Sequence, residues 1–289
     1  MDIRTMQYYL AVVREGTISA AAEALHVAQP SLSRQMKDLE EELGVSLFER
    51  GNRKITLTEE GMVLRKRAEE MVRLMQMTEE EISSIKNHIS GSVRIGAGES
   101  FSFHYLSRAA ASLAEEHPDI RFHITSGDTQ DLMDELQNGL IDFAVIFTDV
   151  DHTLYQSLPL PAEDSFGVLM PKDSPLAEKD VIHWSDLKGL PVIVSRASLP
   201  YFTGAEDLSS LNIVATYNLI FNASLLVEDG LGYAICFDRL INTTGDSTLC
   251  VRPLVPQIRN AGNLIWKKYQ VFPPAVQLFI DRVRNLTNG

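Results

Sequence analysis

Cysteine is almost absent: Cys236 and Cys250 are the only two, too few for a scaffold stapled by disulfides. Both lie in apolar stretches, so small buried hydrophobes in a reducing compartment are expected, with a disulfide or metal pair as the alternative. No apolar run approaches the ~20 residues that span a bilayer, so no membrane partner is expected. The opening MDIRTMQYYL lacks the charged region, long apolar core and cleavage site of an export signal, which makes a cytoplasmic location the expectation. Basic charge is also short. The 26 Lys and Arg face 39 Asp and Glu, a net of -13, which argues against indiscriminate affinity for nucleic acid or membrane. A local basic face is still allowed. The 289 residues, 45% of them hydrophobic, are enough for two or three domains with real cores.

Enzyme signatures are missing too. GAGESF has Phe101 where a dinucleotide fingerprint needs its third glycine, and GLGYA is likewise partial. There is no G-x-S-x-G elbow and no phosphate-cradling loop. The seven histidines are scattered, and His117 and His123 flank Pro118 at poor metal spacing. Neither catalytic residues, nor a metal, nor a cofactor is therefore expected, although loop carboxylates could still assemble an acid–base pair.

What is present begins at the N-terminus. Met6, Leu10 and Val13 recur at helical spacing, with Gly16 as the stop. Thr17 caps a second run, ISAAAEAL, whose alanines allow close helix approach. Pro30 suits the first turn of a third helix, striped by Leu32, Met36, Leu39 and Leu43 and ended by Gly44. His26, in the turn between the second and third helices, is read as a packing residue. Two short helices with a tight turn make a helix-turn-helix. Its second helix presents Gln29, Pro30, Ser31, Ser33 and Arg34 at the opening end. Arg can pair bidentately with guanine and Gln with adenine, while hydroxyls and helix amides suit phosphates. VSLFERGNRKITLTEEG then reads as a hairpin with Arg50, Arg53 and Lys54 around its tip, a basic wing. Residues 1–57 carry seven basic against eight acidic side chains, so binding should rest on few phosphate contacts per subunit, doubled by a dimer.

The segment Ile18–Arg50, with AAAEALHVAQPSLSRQMKDLEEELGVSLFER, closely resembles the DNA-binding domain of LysR-type transcriptional regulators. The resemblance implies a winged helix-turn-helix over 1–58, a linker and dimerisation helix over 59–90, and an effector-binding domain over 91–289. From Thr58 to His88 there is no proline and only Gly61. Leu64, Ala68, Met71 and Met75, then Thr78, Ile82, Ile85 and Ile89, alternate four and three apart, a coiled-coil seam. Such a helix, standing alone, is expected to bury the seam against a second copy, giving a homodimer or tetramer.

Beyond Gly91, strands and helices alternate: VRIGA, IRFHIT and DFAVIF bracket helices at about 103–116 and over TQDLMDELQNG, followed by FGVLM, PVIVS, IVATYNLI and YAICF. NLIWKK and a last helix at about 275–286 close the chain. A mainly parallel, doubly wound α/β sheet is predicted. IRFHITSGDTQDLMDELQNGLIDFAVI and LLVEDGLGYAICF resemble the two effector subdomains of the same family. That implies two lobes similar to type 2 periplasmic binding proteins, one over about 91–160 and 258–289, the other over about 161–257. Ligands in open α/β sheets sit beyond the carboxyl ends of strands. Those ends offer Gly98, Glu99 and Ser100, then Ser126, Gly127, Asp128 and Thr129, and Phe147, Thr148 and Asp149. The second lobe adds Ser195 and Arg196, Phe221 and Asn222, and Phe237. Many relatives hold carboxylates at the first loop, whereas Glu99, Asp128 and Asp149 would repel an anion. The effector is expected to be neutral or cationic, or an acid anchored by Arg196. The partners implied are a dyad-symmetric promoter in double-stranded DNA, a small-molecule effector, a second copy of the chain and RNA polymerase. The alternative is a non-catalytic small-molecule-binding or protein-interaction module that does not touch DNA.

Overall fold

The computed structural model describes residues 1–49, 55–84, 89–202 and 211–287. It divides into two compact units, Met1–Ile85 and Lys86–Gly289.

In the first unit, α1 (Ile3–Glu15) starts where the Asp2 carboxylate accepts from Thr5 N–H and stops at Gly16, in the left-handed region at φ 70°. Thr17 accepts from Ala20 N–H to cap α2 (Ile18–Ala24). The turn that follows holds His26 at φ 54°, the one non-glycine with positive φ among the described residues. His26 is exposed, so it serves the turn through its backbone and is not the packing residue expected. Pro30 sits in the first turn of α3 (Gln29–Leu43), which ends at left-handed Gly44. Met6, Tyr9, Val12, Ala21, Leu32, Met36 and Leu39 form one buried core. Glu40, near the end of α3, folds back to accept from Leu47 N–H at 2.6 Å and Phe48 N–H at 3.3 Å. It thereby starts the wing, where Phe48 bridges Leu57 antiparallel and Glu49 N–H donates to Thr56 at 2.9 Å. The expected tip with Arg50, Gly51, Asn52, Arg53 and Lys54 lies outside the described residues.

Thr58 caps α4 (Glu59–Ser84), accepting from Gly61 N–H at 3.0 Å and donating to Ser46 O at 2.7 Å. Its 26 residues run to about 39 Å. The expected seam does not stay free of its own chain. Ala68 is fully buried in the core of the first unit, and Leu64 and Met71 pack against the same core. A heptad pattern specifies which residues share a face; here α1 and the wing cover the first half of that face. Further along, Ile82 is 65% exposed, and Ile85 lies outside the described residues.

In the second unit, β1 (Gly91–Ala97) lies between β2 (Ile120–Ser126) and β3 (Phe143–Ile146), all parallel. α5 (His104–Glu116) and the closing α9 (Pro274–Thr287) cover one face with Leu106, Leu113, Phe279 and Ile280. α6 (Thr129–Gln137) covers the other with Leu132 and Leu136. β4 (Tyr155–Pro171) is a single strand of 17 residues. Its first part, to Ser165, pairs antiparallel with β10 (Arg259–Lys267), which in turn pairs with β3. From Phe166 onward it pairs with β8 (Tyr233–Phe237) and β9 (Leu249–Val255). The second lobe is built on that half, with β6 (Pro191–Ser195) parallel to β7 (Asn212–Tyr217) and β8. The two-residue β5 (Ile182–His183) joins β9, and the single-turn α7 (Leu199–Phe202) follows β6. α8 (Ile220–Glu228) buries Ala223 and Val227 against this half of the sheet.

Two corrections follow. The sheet is mixed rather than mainly parallel, because β4 runs through both lobes and, with β10 in the first, opposes the parallel sets. FGVLM is the second half of β4 rather than a separate strand, and the partners of β4 change at Ser165/Phe166, close to the expected lobe boundary at about 160. Asp164, in the polar stretch AEDS just before FGVLM, is fully buried. Its carboxylate accepts from Phe101 N–H at 2.8 Å, Ser102 N–H at 3.3 Å and Ser102 O–H at 2.8 Å, holding the short helical turn that leads into α5. A buried carboxylate bonded this way is compatible with a strand interior.

Candidate functional site

Two surfaces of the chain concentrate unspent polar chemistry. On the first unit, Gln29, Pro30, Ser31 and Arg34 are all exposed at the start of α3, while Ser33 is half-buried. The apolar stripe of Leu32, Met36 and Leu39 points the opposite way into the core, so burial of that stripe dictates which side chains face out. Ala28, at the cap position, supplies no side-chain hydrogen bond; Pro30 has no N–H and Ser31 N–H already donates to Ala28 O at 3.0 Å, so the exposed side chains rather than the helix amides carry the polar chemistry here. Arg34 is 85% exposed and only 3.9 Å from Asp38. A solvated pair at that distance is worth at most about 1 kcal/mol, so the guanidinium can exchange it for a base edge or phosphate.

On the second unit, a cavity of about 80 Å³ lies between the two lobes. From the first lobe come Gly98, Glu99, Gly127, Asp128, Thr129 and Phe147; from the second, Ser195, Arg196 and Phe237. Phe166, at the point where β4 changes lobe, forms part of the wall. Its ring lies 4.7 Å from Phe237, which in turn meets Phe147 at 5.4 Å, so an aromatic wall crosses between lobes. Asp128 caps α6, accepting from Asp131 N–H at 3.2 Å. The Arg196 guanidinium makes no hydrogen bond or ion pair among the described residues.

Glu99 carries the most informative geometry. Its carboxylate crosses from the first lobe to accept from Ile220 N–H, the first residue of α8, at 2.5 Å. Burial pushes its pKa up, and the Ile220 hydrogen bond opposes that rise. Nearby, burial pushes the Cys236 thiol up to about 12, with the Asp238 and Glu99 charges adding to the effect. Burial likewise raises Tyr217 well above its usual range, and its hydroxyl donates to Ile235 O at 2.8 Å. Both groups stay neutral at physiological pH. A second bridge joins the lobes where the Arg239 guanidinium stacks 4.1 Å from the Phe101 ring and donates to Glu163 O at 2.6 Å.

Several expected residues fall elsewhere. Ser100 and Ser126 line a more open hollow beside the cavity. Thr148 and Asp149 are exposed and do not line the cavity, because the chain turns outward after Phe147. Phe221 and Asn222 are exposed on α8, since β7 ends at Tyr217 and Leu219 already caps the helix. Tyr217, Asn218 and Ile220 occupy the place expected of them. Aromatic and β-branched character in IVATYNLI hid that boundary. Ser198 and Phe166 were missed as well, and only the buried neighbours of β4 could have pointed to Phe166. Among the described residues no group of three or more His, Cys, Asp or Glu is placed to hold a metal, and no helix is long and apolar enough to cross a membrane.

Comparison with known proteins bears on both surfaces. The family profile described as a bacterial regulatory helix-turn-helix protein of the lysR family matches residues 3–62, and the LysR substrate binding domain matches residues 86–287. A probable RuBisCO transcriptional regulator from Synechocystis sp. is 32% identical over 78% of this chain and 68% of its own length. The uncharacterized HTH-type transcriptional regulator YbhD of Escherichia coli is 28% identical over 99% of this chain and 92% of its own. In fold, the chain is similar to full-length CbnR crystallised with its target DNA, with TM-score 0.75, 20% identity and 99% of each chain covered.

Proposed function

The chain belongs to the LysR family of bacterial transcriptional regulators, with a helix-turn-helix DNA-binding domain and an effector-binding domain, and from that premise we propose that a homodimer or tetramer reads a dyad-symmetric promoter under the control of a small molecule held between the lobes. The observation that carries the DNA half is the exposed row of Gln29, Ser31 and Arg34 on a helix whose other side is locked in the core. The observation that supports the effector half is a cavity with charged side chains from both lobes. A ligand that binds one lobe arrangement better than another shifts the equilibrium toward it, and coupled DNA-binding units then change their half-site spacing or the bend they impose. This reading is of a regulator rather than an enzyme, working in the cytoplasm; contact with RNA polymerase is part of the proposal for an activating role.

Selection from a pool of random duplexes tests the DNA half. A dyad-symmetric consensus is expected; enrichment of single, unpaired half-sites would remove the dimer from the proposal. For self-association, the surface of α4 beyond the first unit's core is the proposed contact, with Leu74 at 37% and Ile82 at 65% exposure. Ile82→Glu is expected to raise the dimer dissociation constant at least ~10-fold by sedimentation velocity, equivalent to ~1.4 kcal/mol. An unchanged constant would move the interface off this face.

A further inference from the structure

We propose that the cavity between the lobes takes a small zwitterion, with Glu99 receiving its ammonium group and Arg196 its carboxylate. The proposal rests on reading that cavity as the effector site and names the class of ligand it selects.

The starting point is an imbalance of charge. Glu99 and Arg196 line the same cavity from opposite lobes, yet they do not pair with each other. Arg196 has no partner among the described residues, and Glu99 has no cationic one. A carboxylate offers about four acceptor positions over two oxygens, and Ile220 N–H occupies one, on Oε2. The remaining capacity faces a half-buried environment with aromatic walls. Desolvation is the largest influence on Glu99 and raises its pKa despite the Ile220 bond, so the charged form is left under-compensated where it stands. An ammonium group brought to Glu99 supplies that compensation.

Ligands with one charge fit less well. A simple anion can pair with Arg196 but brings its charge toward Glu99 and Asp128, both on the cavity wall. A simple cation suits Glu99 and leaves Arg196 unmatched. A molecule with both ends, such as an α-amino acid, pairs with both lobes at once and so favours their closed arrangement. Asp128 caps α6 through Oδ1; Glu99 is the carboxylate whose burial leaves its charge under-compensated, and so the one that gains most from the ammonium. Phe147, Phe166 and Phe237 add ring faces to the same wall, a further attraction for a cation. The volume of about 80 Å³ is roughly half the ~150 Å³ of a cavity that admits benzene. A compact ligand recognised mainly through its charged ends is the match.

The test uses the full-length chain, the twenty protein amino acids at about 10 mM, and thermal melting as the first readout. For any amino acid that acts, the amine lacking its carboxylate and the acid lacking its amino group are measured alongside. At least one amino acid is expected to raise Tm by about 3 °C or more, with less than a third of that from either half-molecule. Arg196→Gln and Glu99→Gln should each remove the response; Arg196→Gln is the safer variant, since that side chain is exposed and has no partner among the described residues. No rise with any amino acid overturns the proposal. So does an equal rise with either half-molecule, or a response that survives both substitutions. DNA binding followed in parallel separates the two levels. If a half-molecule stabilises the chain through Arg196 or Glu99, the cavity remains an effector site and only the zwitterion class is wrong. If no small molecule acts while DNA binding persists, the effector reading of the cavity falls with it.

Discussion

Gly61→Ala is expected to destabilise the DNA-binding unit by about 1–3 kcal/mol, although alanine is the better helix former by ~0.8–1 kcal/mol. A Cβ on Gly61 would stand 2.3 Å from the Leu47 carbonyl oxygen and 3.2 Å from Leu57 Cδ2. That oxygen cannot swing aside like a flexible side chain, because it accepts from Thr58 N–H at 3.1 Å. On the other side, the Gly61 carbonyl accepts the buried Tyr9 hydroxyl at 2.6 Å. Relieving the clash therefore disturbs the anchor between α4 and α1 as well. For a unit of this size each kcal/mol moves Tm by ~4–8 °C, so differential scanning calorimetry should show a drop of about 10 °C. Gly16→Ala is the contrast. Gly16 has φ +70° and nothing within 4 Å of its added Cβ, so strain alone applies, at ~1 kcal/mol. A Gly61→Ala protein as stable as the parent would show that α4 does not lie against the wing.

Arg34→Ala is expected to abolish sequence preference while leaving the fold intact. A bidentate contact to guanine is worth ~1–3 kcal/mol, and a symmetric dimer loses it twice. Affinity for a selected operator should fall roughly 30-fold or more, as ~1.4 kcal/mol corresponds to a factor of ten. Affinity for random duplex should change by a few-fold only. Removing the Asp38 partner instead, by Asp38→Ala, breaks a 3.9 Å exposed pair and should alter operator binding by a few-fold at most. Fluorescence anisotropy on both duplexes reads the difference. Equal losses on operator and random DNA would make Arg34 a phosphate contact and move base reading elsewhere along α3.

Local chemistry made the first unit legible. Gly16, Thr17, Pro30 and Gly44 each mark a helix end through backbone demands that neighbours in sequence reveal, and the stripe of Leu32, Met36 and Leu39 fixes which face turns out. Long-range partners were not legible. The heptad of Leu64, Ala68 and Met71 names a face without naming what covers it; α1 and the wing do so here. Asp164, buried inside a strand, depends on three donors some sixty residues earlier. Glu99 is the sharpest case. In sequence its charge marks a loop hostile to anions, whereas in the fold its carboxylate reaches the first amide of α8, 121 residues away. Strand ends found about half of the cavity, including Gly98, Asp128, Ser195 and Arg196. They missed Tyr217 and Ile220 because one strand was drawn too long.

The most direct test of a DNA-reading regulator is the salt dependence of operator binding by the full-length protein. With a net charge of -13, affinity must come from a local basic face, and a dimer touching about six phosphates or more releases a matching number of counterions. Raising NaCl from about 50 to 200 mM should then weaken operator binding roughly a thousand-fold or more. An affinity that stays flat over that range would contradict DNA reading and make the N-terminal helices a protein-interaction module.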